Sequence, residues 1–376
     1  MTDLPDTNLV MLTLVKPEGQ LEVFFERRPM PEPGAHEVLV KVQATPINPS
    51  DLGLLFGGAD MATARASERD GLPVITADIP PPGMRAMASR VGDALPIGNE
   101  GCGVVVKAGD SPEAQALLGR TVALLGGEMY AEYRCLPLQM IMALPDGTDP
   151  VDGASCFVNP LTSLAFTETM RMEGHSAIVH TAAASNLGQM LVKICAKDGI
   201  PLVNIVRSEA QVGILKGIGA THIVNSSDEN FAEKLVDAIT ATGATLAFDA
   251  IGGGKLGGQI LSAMEVAAVK RMTTYSRYGS DTFKQLYIYG ALDLGPTVLN
   301  RSFGFSWSVS GFLLTPFMMK AGWEVVGRMR ARVVDELTTT FKSHYSHEIS
   351  LTEALNLDTA HAYNAKRTGE KYLIRP

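Results

Sequence analysis

The residues best suited to chemistry lie in Ala183-Ala-Ser185-Asn186-Leu187-Gly188, a run of mostly small side chains between an apolar stretch and a segment of helical spacing. A strand-to-helix turn needs small residues where the backbone must approach a pyrophosphate, whose charge then rests on the start of the helix. The run fills the slot of the GxGxxG fingerprint, with Ala183 and Ser185 in place of the first two glycines. About twenty residues on, where an NAD site carries an acid for the ribose 2′-hydroxyl, the chain has Arg207 followed by Ser208. A carboxylate repels a 2′-phosphate, whereas a guanidinium meets it with two parallel charged hydrogen bonds, so the pair selects NADPH over NADH. Two plainer readings stand beside these: a tight turn that holds no ligand, and an arginine solvated at a strand end with Glu209 as its surface partner.

The elements that must position these residues alternate. Ser176 to Ala182, Leu202 to Arg207, Thr221 to Asn225 and Thr245 to Ile251 are short apolar runs that suit buried strands. Leu187 to Lys197, Glu209 to Lys216 and Glu229 to Thr240 lie among them with helical spacing. Repeated β-α-β units of this length predict a doubly wound parallel sheet, because parallel strands need helical crossovers. Tyr287 to Gly290 and Ser308 to Leu314 read as its last two strands, and a long helix from Pro316 to Lys342 leads away to a final strand, Lys371 to Arg375. The first third is β-rich: Glu37 to Ala44 alternates apolar and polar residues, and Gly101 to Lys107 and Arg120 to Leu125 add two more strands. Residues 59 to 97 show weak periodicity and read as a surface excursion with the makings of a lid. The division expected is 1–155, 156–314 and 315–376, the last segment returning to complete the first domain.

Bulk composition narrows the function. The 376 residues are 46% hydrophobic and 19% charged, which fits a packed globular chain of two or three domains at about 150 residues each. The formal charge is −8 with no basic stripe, which argues against nucleic acid or an anionic membrane as a partner. Met1 to Asp6 has neither a basic start nor an apolar run, and no stretch reaches the roughly 18 apolar residues of a membrane span. Cys102, Cys135, Cys156 and Cys195 stand far apart, as free thiols in a reducing compartment would, so the expected setting is a soluble, cytoplasmic one. His344 and His347 form a single HxxH pair with no third ligand nearby, and read as a solvated helix end rather than a metal site.

These motifs, together with Pro46-Ile-Asn48-Pro-Ser-Asp51, Gly98-Asn99-Glu100-Gly101 and Val158-Asn159-Pro160, resemble the medium-chain dehydrogenase/reductase superfamily. The likeness spans nearly the whole chain and is nearest to zinc-free quinone oxidoreductases and mitochondrial-type trans-2-enoyl thioester reductases. It implies an α/β fold in which a Rossmann domain is joined to a GroES-like β-rich substrate domain made from both chain ends, with a cleft where nicotinamide meets substrate. It also implies that Asn159 faces the nicotinamide half and that Ser185, Asn186, Leu187 and Gly188 hold the pyrophosphate. Arg207, Ser208 and Glu209 would then take the 2′-phosphate end, with Tyr289, Gly290, Ala291, Leu292, Phe312, Leu313, Leu314 and Lys371 contacting the rest of the cofactor. For Phe312 to Leu314 a plain core role is equally open. The family's pairing of last Rossmann strands implies a homodimer built on Ser308 to Phe312.

The departures from the family pattern bear on mechanism. Zinc-dependent members carry a cysteine where this chain has Asn48 and a histidine where it has Asn99, and amides are poor zinc ligands beside thiolate and imidazole. Enoyl reductases place a proton-donating tyrosine soon after the Asn-Pro-Ser-Asp loop; here Gly57-Gly58-Ala59 follows, and residues 59 to 97 contain no tyrosine. Without a metal to polarise a carbonyl, an already electron-poor acceptor is needed. The expected activity is therefore zinc-independent, NADPH-dependent hydride transfer to a quinone or conjugated enone, with Asn48 orienting the small electrophilic substrate and Asp51 bracing its loop. The alternatives are a 2-enoyl thioester reductase, with Arg65, Arg69, Arg85 and Arg90 as candidate contacts for a CoA or carrier group, and a catalytically silent NADPH-binding protein.

Overall fold

The structure, a computed structural model, describes residues 4–376; Met1 to Asp3 of the polar N-terminal stretch lie outside it. It divides into two compact units, residues 4–158 with Val333–Pro376, and Asn159–Arg332.

The second unit is a six-stranded sheet in the order His222–Asn225, Leu202–Val206, Ile178–His180, Leu246–Asp249, Lys284–Ile288, Trp307–Gly311. Every neighbouring pair is parallel. Parallel strands covered on both faces read as continuous apolar runs, and Leu202–Val206 and Leu246–Asp249 are buried throughout. The order reverses between Ile178–His180 and Leu246–Asp249, the switch point outside which ligands of doubly wound sheets bind. Helix Asn186–Asp198 starts on a side-chain cap, Ser185 Oγ accepting from Gly188 N at 3.1 Å, and stops at Gly199, whose φ of 66° a side chain would resist.

The first unit holds two sheets. One runs Asp60–Arg69, Leu72–Asp78, Gln20–Pro29, Thr7–Lys16, Ala94–Pro96. The other runs Ile141–Ala143, Thr121–Leu125, Glu100–Ala108, Glu37–Pro46, Tyr372–Arg375, His347–Ser350, with Tyr133–Pro137 also on Glu37–Pro46. The chain's last strand joins its third: Leu373 pairs with Pro46, Ile374 with Thr45, and Ile47 N donates to Tyr372 O. That register carries Lys371 to the region of Asn48, far earlier in the sequence.

Four sequence readings change. Residues 59–97 are not an irregular excursion: they contain the antiparallel hairpin Asp60–Arg69 and Leu72–Asp78, whose second strand extends the sheet through Gln20–Pro29. The strand expected at Tyr287 to Gly290 is Lys284–Ile288, so Tyr289 and Gly290 lie just beyond its end. The long helix spans Leu314–Asp335 and breaks at Gly322 (φ 81°, ψ 165°). It stays with the second unit as far as Arg332, whose guanidinium grips Asp198 through two bonds of 2.8 Å, so the boundaries fall at 158/159 and 332/333 rather than 155/156 and 314/315. Finally, His347 opens a strand and stacks on Tyr372 with ring centroids 4.5 Å apart, in place of a helix end.

Candidate functional site

In the second unit the fingerprint residues gather at the switch point. Gly188 is required by space: a Cβ there would sit 2.2 Å from Ala183 O. The helix start therefore touches the backbone of the turn that leads into it, the close approach a third glycine permits in a dinucleotide turn. Thr181 Oγ1 donates to Asp249 Oδ1 at 2.7 Å and accepts from Ala250 N at 2.8 Å, which ties the two central strands at their ends. Asp249 also accepts from Ile251 N and Gly252 N. Sequence reading treated Asp249 only as a strand residue, although an acid closing an apolar run was a visible signal.

Arg207 stands exposed just past the strand Leu202–Val206, and no described residue hydrogen-bonds its guanidinium. The suspected partner is engaged elsewhere, Glu209 Oε1 accepting from Asn225 Nδ2 at 3.0 Å. Ser208 caps helix Glu209–Gly217 by accepting from Gln211 N. Asn159 lies in the first turn of helix Val158–Met172, with its side chain half-buried.

A cavity of about 500 Å³ is lined by residues that include Tyr289, Gly290, Ala291, Phe312 and Leu313. Leu292 is exposed beside them, and Leu314 opens the long helix. Phe312 also belongs to the core, meeting Phe166 and Phe248 edge-on at 5.2 and 5.4 Å. Tyr289 Oη is 2.8 Å from Nε2 of the fully buried His180. Burial pushes the imidazole down to about 3, so it stays neutral.

The first unit holds a second polar cluster, centred on Glu100. Its Oε2 accepts from Phe157 N and Val158 N, and its Oε1 accepts from Asn48 Nδ2 at 2.8 Å. One of the two Asn48 amide hydrogens is thus given to Glu100, and Asn48 Oδ1 is buried and without a partner among the described residues. Asn99 directs its amide to Ser50 Oγ. Asp51 braces the loop by accepting from Asn48 N and Asn99 N. Burial raises its carboxyl to about 7 against the pull of those two donors.

Beside Glu100 lies a row of residues that sequence reading did not connect. Lys371 Nζ donates to Ser155 Oγ at 3.0 Å, and Ser155 Oγ is 2.8 Å from Tyr345 Oη. Ser155 is 216 residues from Lys371, so no local spacing could reveal the pair. Three of the four arginines considered for a CoA or carrier group are committed: Arg65 to Asp78, Arg69 to Glu22, and Arg90 to Leu54 O and Thr13 Oγ1. All four cysteines are free, and burial pushes Cys102 and Cys195 up to about 12, far from thiolate chemistry. Among the described residues no three His, Cys, Asp or Glu side chains cluster as a metal site, and no helix is long and apolar enough to cross a membrane.

A doubly wound sheet with a glycine-backed turn at its switch point, in a chain whose two ends build a separate β-rich unit, defines the architecture of Rossmann and GroES-like oxidoreductases. The comparisons agree: homologues and structural neighbours of the chain are quinone oxidoreductases and enoyl thioester reductases of the medium-chain dehydrogenase/reductase superfamily. No protein-family model matches it. The mitochondrial enoyl-[acyl-carrier-protein] reductase of Caenorhabditis elegans is 26% identical over 241 residues, 62% of this chain and 61% of that protein. The quinone oxidoreductase of Pseudomonas aeruginosa is 26% identical over 159 residues, 42% of this chain and 49% of its own. The chain therefore spans about half to three-fifths of the length of these relatives. Among solved structures, a provisionally assigned NADPH:quinone reductase of Mesorhizobium loti matches with a TM-score of 0.74 and 26% identity, over 100% of both chains.

Proposed function

We propose that the chain is a zinc-independent, NADPH-dependent oxidoreductase whose acceptor is a quinone or conjugated enone. One observation carries the cofactor choice: Arg207 is exposed, and its guanidinium meets no partner among the described residues, at the strand end that follows the Ser185–Gly188 turn. A cationic fork held free there suits a 2′-phosphate and has no other task. Ser185, Asn186, Leu187 and Gly188 would hold the pyrophosphate on the helix start, with Ser208 and Glu209 shaping the 2′-phosphate end. Asn159, Tyr289 to Leu292, Phe312 to Leu314 and Lys371 would meet the remainder. Bound NADPH supplies a hydride. Asn48 Oδ1 then serves as an acceptor that positions a donor group on substrate or cofactor.

Asn48 and Asn99, tied to Glu100 and Ser50, are poorly suited to hold zinc. A quinone or enone is electrophilic without metal, so positioning suffices. A 2-enoyl thioester is the second reading, favoured by the enoyl reductase relative; the engaged arginines leave only Arg85 of the four for a CoA or carrier group. The exposed edge strand Trp307–Gly311 suits a homodimer, and a cytoplasmic setting suits the free thiols.

NADPH oxidation measured with quinones, enones and crotonyl-CoA tests the reading. Quinone or enone turnover with NADPH preferred supports it, crotonyl-CoA turnover alone selects the thioester, and tight calorimetric NADPH binding with no acceptor reduced marks a silent binder.

A further inference from the structure

Reducing a conjugated C=C bond takes a proton as well as a hydride, and residues 59 to 97 offer no tyrosine to give it. Tyr130, Tyr289 and Tyr345 sit in polar contacts near the residues already described, and they differ in what lies behind them; Tyr130 is fully buried, its Oη donating to Pro46 O. Tyr289 leans on His180, which is fully buried and whose Nδ1 meets no partner among the described residues. A proton given up by Tyr289 could not be replaced through that ring, so this path is a dead end.

The first unit has a path that continues. The main chain of Lys371 is clamped to Ser346: Lys371 N donates to Ser346 Oγ and Ser346 N donates to Lys371 O, both at 2.9 Å. Its ammonium lies 5.4 Å over the Tyr345 ring and gives one hydrogen to the buried Ser155 Oγ, leaving others unspent. From Ser155 the contact passes to Tyr345 Oη, and Tyr345 is half-buried between the exposed His344 and Ser346. The row thus runs from a cation beside Glu100 and Asn48 to Tyr345, a partly exposed residue whose hydroxyl itself is buried.

We infer that Lys371 hands the proton to the reduced substrate, and that Ser155 and Tyr345 refill it from solvent. This rests on the reductase reading above. After hydride reaches the β-carbon of an enone, the π pair shifts to give an enolate. That pair forms a C–H bond at the α-carbon with a Lys371 hydrogen. The N–H bond breaks and its electrons stay on nitrogen as a neutral amine. Ser155 then donates to the amine, Tyr345 to Ser155 and water to Tyr345, so one proton is taken from solvent per turnover. Lys371 is the catalytic residue of this step; Ser155 and Tyr345 act through it.

The charged and titratable groups that face Lys371 are Glu100, Asp51 and Tyr345. Burial lowers its amine to about 8 while Glu100 and Asp51 pull it upward, so at neutral pH it is mostly ammonium and a competent acid.

The test compares wild type, Lys371→Met, Lys371→Arg and Ser155→Ala with one enone and one quinone. A quinone's reduced anion takes its protons from water, so the ratio of enone to quinone kcat isolates proton delivery from any shared loss of cofactor binding. We expect that ratio to fall about 100-fold in both Lys371 variants, the usual scale for losing a positioned acid, since arginine keeps the charge but does not release a proton. Ser155→Ala should lower it about tenfold. In cofactor-free protein, the pH dependence of Lys371 acetylation, followed by mass spectrometry, should titrate near 8 and shift in Ser155→Ala. An unchanged ratio in Lys371→Met, a ratio restored by arginine, or Lys371 labelling like a surface lysine would overturn the assignment. No wild-type turnover with either acceptor would instead overturn the reductase reading, and this step with it.

Discussion

Thr181 and Asp249 are joined side chain to side chain at 2.7 Å across the switch point of the parallel sheet. Because Asp249 also accepts from Ile251 N and Gly252 N, one carboxylate fixes the loop that leaves the fourth strand. Replacing Asp249 with Ala strands these buried donors. Hydrogen bonds to a charged group are worth about 1.5–3 kcal/mol, so Asp249→Ala should lose roughly 3 kcal/mol in urea unfolding and weaken NADPH binding. A loss below about 0.5 kcal/mol, the range of an ordinary surface substitution, would show that the pair does not hold the site.

Gly188→Ala tests the close approach of the helix start to the turn before it. The atom that the new methyl would meet, at 2.2 Å, is the Ala183 carbonyl oxygen, part of the backbone, so no side-chain rotation relieves it. The turn must open, at about 1–3 kcal/mol by analogy with overpacked cores. Thermal unfolding should fall by several degrees and NADPH affinity at least tenfold. Unchanged affinity would mean that the turn does not cradle the cofactor.

Arg207→Ala should weaken NADPH about 10- to 100-fold, the scale of one charge-assisted bidentate contact, and leave NADH affinity nearly as it was. Fluorescence titration with the two dinucleotides reads both numbers. Equal losses for both would remove Arg207 from the 2′-phosphate.

The parallel sheet was legible in the sequence because its central strands are buried on both faces, so each reads as a short, largely apolar run. The hairpin at Asp60–Arg69 was not, for the opposite reason. It is a sheet edge with most of its residues exposed, so no buried face imposes alternation, and its charges serve cross-strand pairs such as Arg65 with Asp78. Ser185, Gly188 and Arg207 could be picked out because dinucleotide turns have local spacing. Glu100, Ser155 and Lys371 come together only after three distant segments of the chain meet. Asn48 was noticed for its residue type, but which of its amide atoms is free depends on Glu100, and that is a fact of the fold.

Asp51 makes stability depend on pH in a definite sense. Its carboxyl rises from 3.8 to about 7 on folding, chiefly through burial, with the nearby Glu100 charge adding and two backbone donors opposing. A raised acid favours the native state while protonated, so its contribution is present below about pH 4 and is lost as pH climbs through 7. Measured against Asp51→Asn, wild type should therefore lose stability between pH 4.5 and 7.5 with a slope near one proton. A difference that is flat, or that grows with pH, would mean the carboxylate is held ionised by Asn48 N and Asn99 N.

The edge of the parallel sheet supplies the last prediction. Trp307–Gly311 pairs with Lys284–Ile288 on one side only, and no strand is present on its other side among the described residues. The same unit exposes Leu294, Phe305 and Trp323, at 89%, 84% and 81% of their full area, far more apolar surface than an isolated unit gains from showing. An open strand and a greasy surface are what a two-fold partner would cover, each copy giving the same patch to the other. Light scattering at tens of micromolar should give twice the chain mass of 40.1 kDa, and Phe305→Asp combined with Trp323→Glu should halve it while leaving circular dichroism unchanged. A wild-type mass of one chain at that concentration would leave the edge without its proposed partner.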